Sequence, residues 1–305
     1  MSTSPILSIC IPTYKRPDCL AQCLDSIVEQ CVEDTTIAEQ VEIVISDNAS
    51  NDGTEQVVET FKKQFKSIRY HKNETNIGVD KNILNVVAKA QGEYVWFLGD
   101  DDALFSGALK HILAKIKQNV FDYALVNCQG YDNTLESPAV KSPNFDITED
   151  VVYKTVDQSV QVMDRDHIVG NFCGLSIQVF KKKLWDDFSD KEKYIGTHAI
   201  HLYILLSVMK GRSFVMIARP MVKVRAANIR WDTFPGLETV SKRTQSTFTV
   251  LQWVFDYYDI PYSKIGFYIR QKKVLLVSAI QLIVRKYIIT NPAMRRIVKK
   301  FLGKL

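Results

Sequence analysis

The stretch that decides the fold is residues 94–102, which read Tyr94-Val95-Trp96-Phe97-Leu98-Gly99-Asp100-Asp101-Asp102. Apolar and aromatic residues form the pattern of a buried strand, and three consecutive carboxylates follow it. Two earlier apolar runs end in the same way: residues 6–11 pass into Pro12-Thr13-Tyr14-Lys15-Arg16, and residues 41–46 pass into Asp47-Asn48-Ala49-Ser50-Asn51-Asp52-Gly53. Because open parallel sheets bind ligands outside the carboxyl ends of their strands, the sequence predicts that these three clusters converge on one rim.

Helical patterns separate these strands. Apolar residues recur at helical spacing over residues 18–30, 54–65 and 82–90, and a short strand is predicted at residues 68–71. The alternation predicts an α/β fold with a mostly parallel sheet flanked by helices. Further elements are predicted in this order: a helix at 104–119, a strand at 123–127, a surface loop at 132–150, a helix at 198–209, strands at 213–217 and 222–225, and helices from residue 243 onward.

The polar residues at the rim suit a nucleoside diphosphate and a cation. Adjacent carboxylates repel one another unless a cation neutralises them, and Mg²⁺ or Mn²⁺ is typically held by one or two carboxylates together with substrate phosphates. Tyr14 can stack on a base, and Asp47 can accept a hydrogen bond from a base N–H. Arg16 or Lys81 can contact a diphosphate. The alternative is structural, with residues 47–53 as a solvated turn and the aspartates as a helix-capping region. Three clusters on one rim favour the binding site.

These residues also carry a family resemblance. The segments concerned are Ser8-Ile9-Cys10-Ile11-Pro12-Thr13-Tyr14-Lys15-Arg16, Asp47-Asn48-Ala49-Ser50-Asn51-Asp52-Gly53-Thr54, Asn76-Ile77-Gly78 and Trp96-Phe97-Leu98-Gly99-Asp100-Asp101-Asp102. They resemble glycosyltransferase family 2, whose fold is GT-A, specifically over residues 6–104 and more weakly to about residue 228. The Gly-Asp-Asp-Asp form, with the Asn-Ile-Gly segment before it, is similar to the abequosyltransferase-like branch, which acts in O-antigen and surface-polysaccharide assembly.

The resemblance implies a donor-binding role for individual residues. Thr13 and Tyr14 match positions that contact the nucleoside, and Asp47 matches the aspartate that binds the base. The remaining residues of the expected donor-binding set are Pro12, Arg16, Asn76, Gly78, Lys81 and Asp100.

The resemblance also implies a divalent metal, Mn²⁺ or Mg²⁺. Asp100, Asp101 and Asp102 match the family's D-x-D region, which binds the ribose and the diphosphate-bound metal. An ungapped match puts Gly99 where the family usually has its first aspartate, and Asp101 then falls on the metal-binding position. A shift of one residue favours Asp100 and Asp102 instead, so all three are expected metal ligands.

The catalytic base is less clearly marked. The family is inverting, so a base must deprotonate the acceptor hydroxyl, and it often comes from a Glu-Asp pair opening a helix about a dozen residues before a glycine. Counting back from Gly211 reaches Thr197-His198-Ala199-Ile200-His201, which contains no carboxylate. His198 and His201 are therefore the candidates, although at least one is expected to be a buried core histidine. Asp102 is also placed in the catalytic set, and the alternatives on the preceding loop are Asp186, Asp187, Asp190 and Glu192.

Charge is distributed unevenly along the chain. Its 305 residues carry a net charge of +5, yet residues 261–305 hold 11 basic residues and no acidic one. A helix is predicted from Asn291-Pro292, and it combines an apolar stripe with cations at Arg295, Arg296, Lys299, Lys300 and Lys304. This pattern is typical of a helix in an anionic membrane interface. The alternative is a C-terminal helix docked on the core with a solvated basic face.

Other function classes fit less well. No Gly-x-Gly-x-x-Gly follows the first strand, as a dinucleotide-binding oxidoreductase would need, and an aspartate-rich rim would repel nucleic acid. The six cysteines have no zinc-site spacing and are expected to be reduced thiols. Neither a secretory signal nor an apolar run of the ~18 residues that span a bilayer is apparent, so a cytoplasmic protein is expected.

The expected function is an inverting, metal-dependent glycosyltransferase, peripheral on the inner face of the cell membrane. It would move a sugar from a nucleotide-diphosphate donor to a polyprenyl-diphosphate-linked saccharide, and no nucleic acid partner is expected. The alternatives are a catalytically degenerate nucleotide-sugar-binding protein and a nucleic-acid-binding protein that uses the tail. The expected organisation is a nucleotide-sugar-binding half at 1–105, an acceptor-binding half of the same domain at 106–225, and a helical C-terminal region at 226–305.

Overall fold

In the computed structural model of the chain, a nine-stranded sheet forms the centre of the described residues, which are 4–139, 143–155, 158, 172 and 174–225. The chain divides into two units, Met1–Arg230 and Trp231–Leu305, and the second lies outside the described residues. The predicted helical region at 226–305, with its basic helix, therefore stays a prediction. In the part of the chain that is described, no helix has the length and apolar character needed to cross a bilayer.

The strands are β1 (Leu7–Thr13), β2 (Val41–Asp47), β3 (Ile68–Lys72), β4 (Tyr94–Phe97), β5 (Ala103–Leu104), β6 (Tyr123–Tyr131), β7 (Val151–Tyr153), β8 (Gln178–Lys181) and β9 (Phe214–Arg225). The α-helices are α1 (Pro17–Glu33), α2 (Thr35–Ala38), α3 (Thr54–Lys62), α4 (Val79–Lys89), α5 (Ala108–Lys117), α6 (Lys182–Asp187) and α7 (Ile200–Met209), and 3-10 turns lie at Leu175–Ile177 and Lys191–Tyr194. The sheet order is β3-β2-β1-β4-β8-β6-β9-β5, and β7 pairs with β9.

One half of the sheet consists of the parallel neighbours β3, β2, β1 and β4. Every residue of β2 is buried, and in β1 only Pro12 is partly exposed, as expected for parallel strands covered on both faces. The buried residues of α1 recur at helical spacing on the side that packs on the core. The prediction of an α/β fold with a mostly parallel sheet flanked by helices is confirmed.

The other half of the sheet is mixed. Strand β8, which the sequence pattern did not indicate, runs antiparallel between β4 and β6. The two strands predicted at 213–217 and 222–225 are one strand, β9, which runs parallel to β6 with register shifts on either side of Asn127. The Asn127 side chain satisfies the backbone at this irregularity, because its Nδ2 donates to the carbonyls of Ala218 at 2.8 Å and Phe145 at 3.0 Å. Asn127 and Ala218 are 91 residues apart, so no local sequence pattern indicates their hydrogen bond.

Two helices begin directly after glycines, at positions that the apolar periodicity did not predict. Helix α4 begins at Val79 rather than at residue 82, after Gly78 with a φ of 84°. Helix α5 begins at Ala108 rather than at residue 104, after Gly107 with a φ of 75°. Both glycines have a positive φ, which side chains disfavour, so each one favours a helix that starts at the next residue.

Candidate functional site

The ends of β1, β2 and β4 meet at one edge of the sheet. Thr13 closes β1 opposite Asp47, which closes β2, and Asp100 follows β4. The Thr13 hydroxyl donates to Asp100 Oδ2 at 2.7 Å, and the N–H of Asn48 donates to the Thr13 carbonyl at 2.9 Å. The structure therefore brings the three predicted polar clusters together, because parallel neighbours end at the same edge.

Arg16 lies beside the aspartate cluster. Its Nη1 is 3.2 Å from Asp100 Oδ1 and 2.7 Å from Asp101 Oδ2. Arg16 immediately precedes α1, which begins at Pro17, so the loop after β1 delivers the guanidinium to the rim. Arginine pairs with carboxylates and phosphates in the same fork geometry, so this side chain can serve either partner.

Asp102 is held from the second half of the sheet. Its Oδ2 accepts a hydrogen bond from the Ser176 hydroxyl, and its Oδ1 accepts one from the N–H of Arg225 at 3.1 Å. Ser176 Oγ also accepts the N–H of Gly99 at 2.8 Å. A Cβ at Gly99 would lie 3.0 Å from Asp101 Oδ1 and 3.2 Å from Asp102 Oδ2. The packed carboxylates therefore leave little room for a side chain at position 99.

The carboxyls of Asp100 and Asp102 are electrostatically strained at neutral pH. Both are buried. Burial, together with the charge of Asp101, raises the pKa of Asp100 to about 6 and the pKa of Asp102 to about 7. Arg16 and the Thr13 hydroxyl oppose the shift at Asp100. A cation bound beside this pair would favour their ionised forms.

The aspartate cluster offers carboxylate oxygens, which are the type of ligand that a hard divalent cation prefers. Within residues 4–139, 143–155, 158, 172 and 174–225, no three His, Cys, Asp or Glu side chains are arranged to hold a metal. Mg²⁺, however, is usually bound by one or two carboxylates and completes its coordination with substrate phosphates and water. The Asp101 side chain is 24% exposed, which makes it the most accessible carboxylate of the three.

Asp47 is fully buried at the end of β2. Its Oδ1 accepts the N–H of Ser50 at 2.9 Å, and its Oδ2 accepts the hydroxyl of Tyr70 at 2.6 Å. Burial and the hydrogen bond to Asp47 raise the pKa of Tyr70, which keeps it a donor. Both carboxylate oxygens of Asp47 accept hydrogen bonds from the protein and the residue has no exposed surface, so the predicted contact with an N–H of the nucleobase stays a prediction.

An asparagine network fixes the loop between β3 and α4. Asn48 Nδ2 donates to Asn76 Oδ1 at 2.8 Å, and Asn48 Oδ1 accepts the N–H of Ile77 at 2.9 Å. Asn76 Oδ1 also accepts the N–H of Gly78 at 3.0 Å. The network attaches this loop to the turn after β2 and places the exposed Lys81 on the first turn of α4.

Tyr14 presents an aromatic ring at the rim. The residue is 37% exposed, and Lys15 Nζ lies 5.2 Å from the ring centroid. The side chains of Asn76 and Lys15 lower the pKa of the Tyr14 hydroxyl. Pro12 is partly buried within β1. An exposed ring suits stacking on a base, and the donor-binding roles of both residues stay predictions.

The two candidate histidines differ in environment. His201 is buried on α7, with its ring 6.4 Å from that of Phe97 at an interplanar angle of 76°. It is a core histidine, as expected for at least one of the pair. His198 is exposed just before α7, has a φ of 56°, and donates its N–H to Asp80 Oδ2 at 3.0 Å. His198 is thus the more accessible candidate base.

The carboxylates that the sequence offered as alternative bases are all exposed. Asp186 and Asp187 form ion pairs with lysines one turn earlier in α6. Asp190 and Glu192 lie around the 3-10 turn that follows. The identity of the base stays a prediction.

Three contacts at the site went unrecognised in the sequence. Ser176 holds Asp102, Tyr70 holds Asp47, and Asp80 holds the loop before α7. These partners are 74, 23 and 118 residues apart, so only the folded chain joins them. The asparagine-rich segment around Asn76 was a visible signal that could have indicated its network.

Known relatives resemble the chain over most of its length. Residues 8–183 match the family model described as Glycosyl transferase family 2. The chain is 33% identical over 231 residues to abequosyltransferase RfbV of Salmonella typhimurium, covering 73% of this chain and 67% of that protein. It is 28% identical over 214 residues to the GalNAc(5)-diNAcBac-PP-undecaprenol beta-1,3-glucosyltransferase of Campylobacter jejuni, covering 69% of this chain and 62% of that protein. The chain thus spans about two thirds of the length of these relatives.

Solved structures share the fold. S. aureus TarS 1-349 in complex with UDP-GlcNAc matches with a TM-score of 0.58 at 17% identity, over 81% of this chain and 65% of that chain. S. aureus TarS matches with a TM-score of 0.60 at 17% identity, over 92% of this chain and 43% of that chain. At such identity the likeness concerns the fold alone, and it confirms the predicted GT-A fold.

Proposed function

The chain belongs to glycosyltransferase family 2, and from this premise we propose a specific activity. The enzyme moves a hexosyl or deoxysugar unit from a nucleotide-diphosphate sugar to a polyprenyl-diphosphate-linked saccharide, with inversion at the anomeric carbon. The reaction serves O-antigen or surface-polysaccharide assembly. The observation that carries the proposal is the convergence of Thr13, Asp47 and the aspartates 100–102 at the edge where an open α/β sheet binds its ligand.

The nucleoside of the donor binds between the loops after β1 and β2. The exposed ring of Tyr14 stacks on the base, and Asp47 accepts from a base N–H while Ser50 and Tyr70 hold its carboxylate in place. Lys15 is fixed against the second loop, because its N–H donates to Ser50 Oγ at 2.7 Å. A site built from two mutually bonded loops is preorganised, which reduces the entropic cost of donor binding.

The diphosphate binds at the aspartate cluster. Asp101, with Asp100 or Asp102, would hold Mn²⁺ or Mg²⁺, and the bound cation would neutralise charge on the leaving diphosphate. Arg16 supplies a fixed positive charge at the same place and can pair with a phosphate. The raised pKa values of Asp100 and Asp102 support cation binding here, since a cation relieves the cost of their ionised forms.

The acceptor reacts near the loop before α7. We assign the role of catalytic base to His198, which is exposed there, because histidine is the side chain that most often serves as a general base. It accepts the proton of the acceptor hydroxyl while that oxygen attacks the anomeric carbon from the face opposite the diphosphate. Attack from the opposite face inverts the configuration.

The lipid-linked acceptor is supported by a relative and by charge. The name of the Campylobacter jejuni relative describes an undecaprenol-linked substrate. Residues 261–305 of this chain carry 11 basic residues and no acidic one, a composition suited to an anionic membrane surface. A peripheral enzyme on the inner face of the cell membrane would meet both a cytoplasmic nucleotide sugar and a membrane-anchored acceptor.

A thermal-shift screen tests the proposal. Sugars linked to UDP, GDP and CDP are added separately, with and without Mn²⁺, because a ligand that binds the native state raises its melting temperature. We expect one nucleotide class to raise it, and more strongly with Mn²⁺. Transfer to synthetic polyprenyl-diphosphate saccharides is then measured. If no nucleotide sugar binds, the proposal is wrong, and binding without transfer would favour the catalytically degenerate alternative.

A further inference from the structure

A buried carboxylate of α4 holds the loop that carries His198. Asp80 lies in the first turn of α4 and is 4% exposed. Its Oδ2 accepts the N–H of Gly196 at 2.8 Å and that of His198 at 3.0 Å, and its Oδ1 is 3.4 Å from the N–H of Ile200. Three alternate backbone N–H groups thus converge on one carboxyl group.

The loop needs this anchor because its backbone is unusual. We define the acceptor-side loop as residues 195–199. Gly196 has a φ of 91° and His198 a φ of 56°, and a non-glycine residue in this region is uncommon and mildly strained. The residue before α7, Ala199, offers no side-chain cap, so Asp80 supplies the acceptor for the first N–H of that helix.

The start of the acceptor-side loop is fixed by aromatic packing. The ring of Tyr194 stacks between Tyr203, at 4.7 Å and 7°, and Phe188, at 6.2 Å and 14°. The Thr197 hydroxyl donates to the Tyr194 carbonyl at 2.7 Å. With Tyr194 at one end and Asp80 at the other, the exposed side chain of His198 projects from a fixed backbone.

Asp80 also connects this loop to the donor side of the site. It follows Gly78 by two residues, and the Gly78 N–H is bonded to Asn76, whose side chain is bonded to Asn48. Asn48 is the neighbour of Asp47. The turn after β2, to which we assign the nucleobase, is therefore joined to the acceptor-side loop through a short series of covalent and hydrogen bonds.

We propose that Asp80 is a positioning residue that sets the acceptor-side loop, and with it His198, relative to the donor site. The inference rests on the proposed function. Asp80 does not act as the base itself, because both of its oxygens face backbone N–H groups in a buried position. A carboxylate from α4 thus lies at the start of α7 and acts on the backbone.

The variant Asp80→Asn tests the proposal in the full chain. It preserves size, but an amide group can accept through only one of its two polar atoms, so at least one loop N–H loses its partner. We expect kcat for sugar transfer to fall about tenfold or more, because small displacements of reacting groups are costly. The KM for the nucleotide sugar and the Kd for the matching nucleoside diphosphate should stay within about threefold. Asp34→Asn is the control: it removes the carboxylate that caps α2 through Thr36 and should leave kcat, KM and Kd unchanged.

A second variant, Gly196→Ala, strains the loop without touching Asp80. A Cβ there meets no atom within 4 Å, so the backbone conformation alone is perturbed. We expect the same selective fall in kcat, by about threefold or more, and this variant decides the question if Asp80→Asn does not fold. If the wild-type chain transfers sugar and the folded variants keep its kcat, or lose donor affinity in proportion, the positioning role is refuted. If the wild-type chain transfers no sugar from any donor tested, the proposed function is wrong and the inference falls with it.

Discussion

The hydroxyl of Thr13 donates a hydrogen bond of 2.7 Å to Oδ2 of Asp100, joining the end of β1 to the loop after β4. The same carboxyl pairs with Arg16 through its other oxygen. The last residue of β1 and a residue of the loop after it therefore hold the first aspartate of the cluster, which explains how a buried carboxyl keeps its orientation. Hydrogen bonds and ion pairs connect the residues of the rim to one another, so a substitution at one of them should also disturb its partners.

Thr13→Val should weaken both the fold and the rim. Valine keeps the shape of threonine but removes the hydroxyl that donates to Asp100 Oδ2, so we expect the free energy of unfolding to fall by about 1–2 kcal/mol. The pKa of Asp100 should rise further, because the lost hydrogen bond lowers it. Urea denaturation measures the stability. Thr60→Val, which removes an exposed hydroxyl bonded within α3, is the control, and equal losses in the two variants would contradict the assignment.

Asp101→Asn should abolish the contribution of the metal to donor binding. The substitution removes the most accessible carboxylate of the cluster, so we expect the gain in nucleoside-diphosphate affinity on adding Mn²⁺ to fall about 10- to 100-fold. Calorimetry with and without a chelator measures that gain. Asp25→Asn removes an exposed carboxylate of α1 and should have no effect. An unchanged metal gain in Asp101→Asn would remove this residue from the metal site.

Tyr70→Phe should destabilise the turn after β2, to which we assign the nucleobase of the donor. It deletes the hydroxyl 2.6 Å from Asp47 Oδ2 and leaves a fully buried carboxylate oxygen without that donor, at a cost of about 1–3 kcal/mol. Donor affinity should fall as the turn loosens. Tyr153→Phe is the comparison, since its ring stacks on Phe214 and is retained. Thermal unfolding measures the stability of both variants, and calorimetry measures their affinity for the donor. A loss of stability or affinity in Tyr153→Phe but not in Tyr70→Phe would refute the prediction.

Neutralising the basic tail should release the protein from anionic membranes. In the full chain, glutamine replaces Arg295, Arg296, Lys299 and Lys300, which removes about 1 kcal/mol of attraction per cation near the surface. Cosedimentation with phosphatidylserine-containing vesicles should fall strongly, while vesicles of neutral lipid show little binding of either protein. Undiminished cosedimentation would instead favour a C-terminal helix that packs on the core.

The sequence predicted a mostly parallel sheet, and it predicted correctly that three polar clusters meet at one edge of that sheet. β1 ends at Thr13 and β2 ends at Asp47, and each is a run of apolar residues followed by polar ones. Such a run and the residue that ends it are neighbours in the sequence, so the strands and the edge at which they end can be predicted locally. The same local rules missed β8, which has only four residues, and divided β9 in two at the irregularity beside Asn127.

The motifs also indicated which carboxylates would gather, whereas the tertiary structure decided how each is held. The hydrogen bond from Ser176 to Asp102 and the crowding around Gly99 arise where distant segments pack together. His198 and His201 were equivalent in the sequence, and only the packing of α7 against β4 buried the one and exposed the other. The bonds from Asp80 to the acceptor-side loop span 116 and 118 residues, and no local pattern encodes such a contact. The periodicity of a helix or strand depends on residues that are close in sequence, so the sequence predicts it. The hydrogen-bond partner of a buried polar group comes from a distant segment, so only the folded chain determines it.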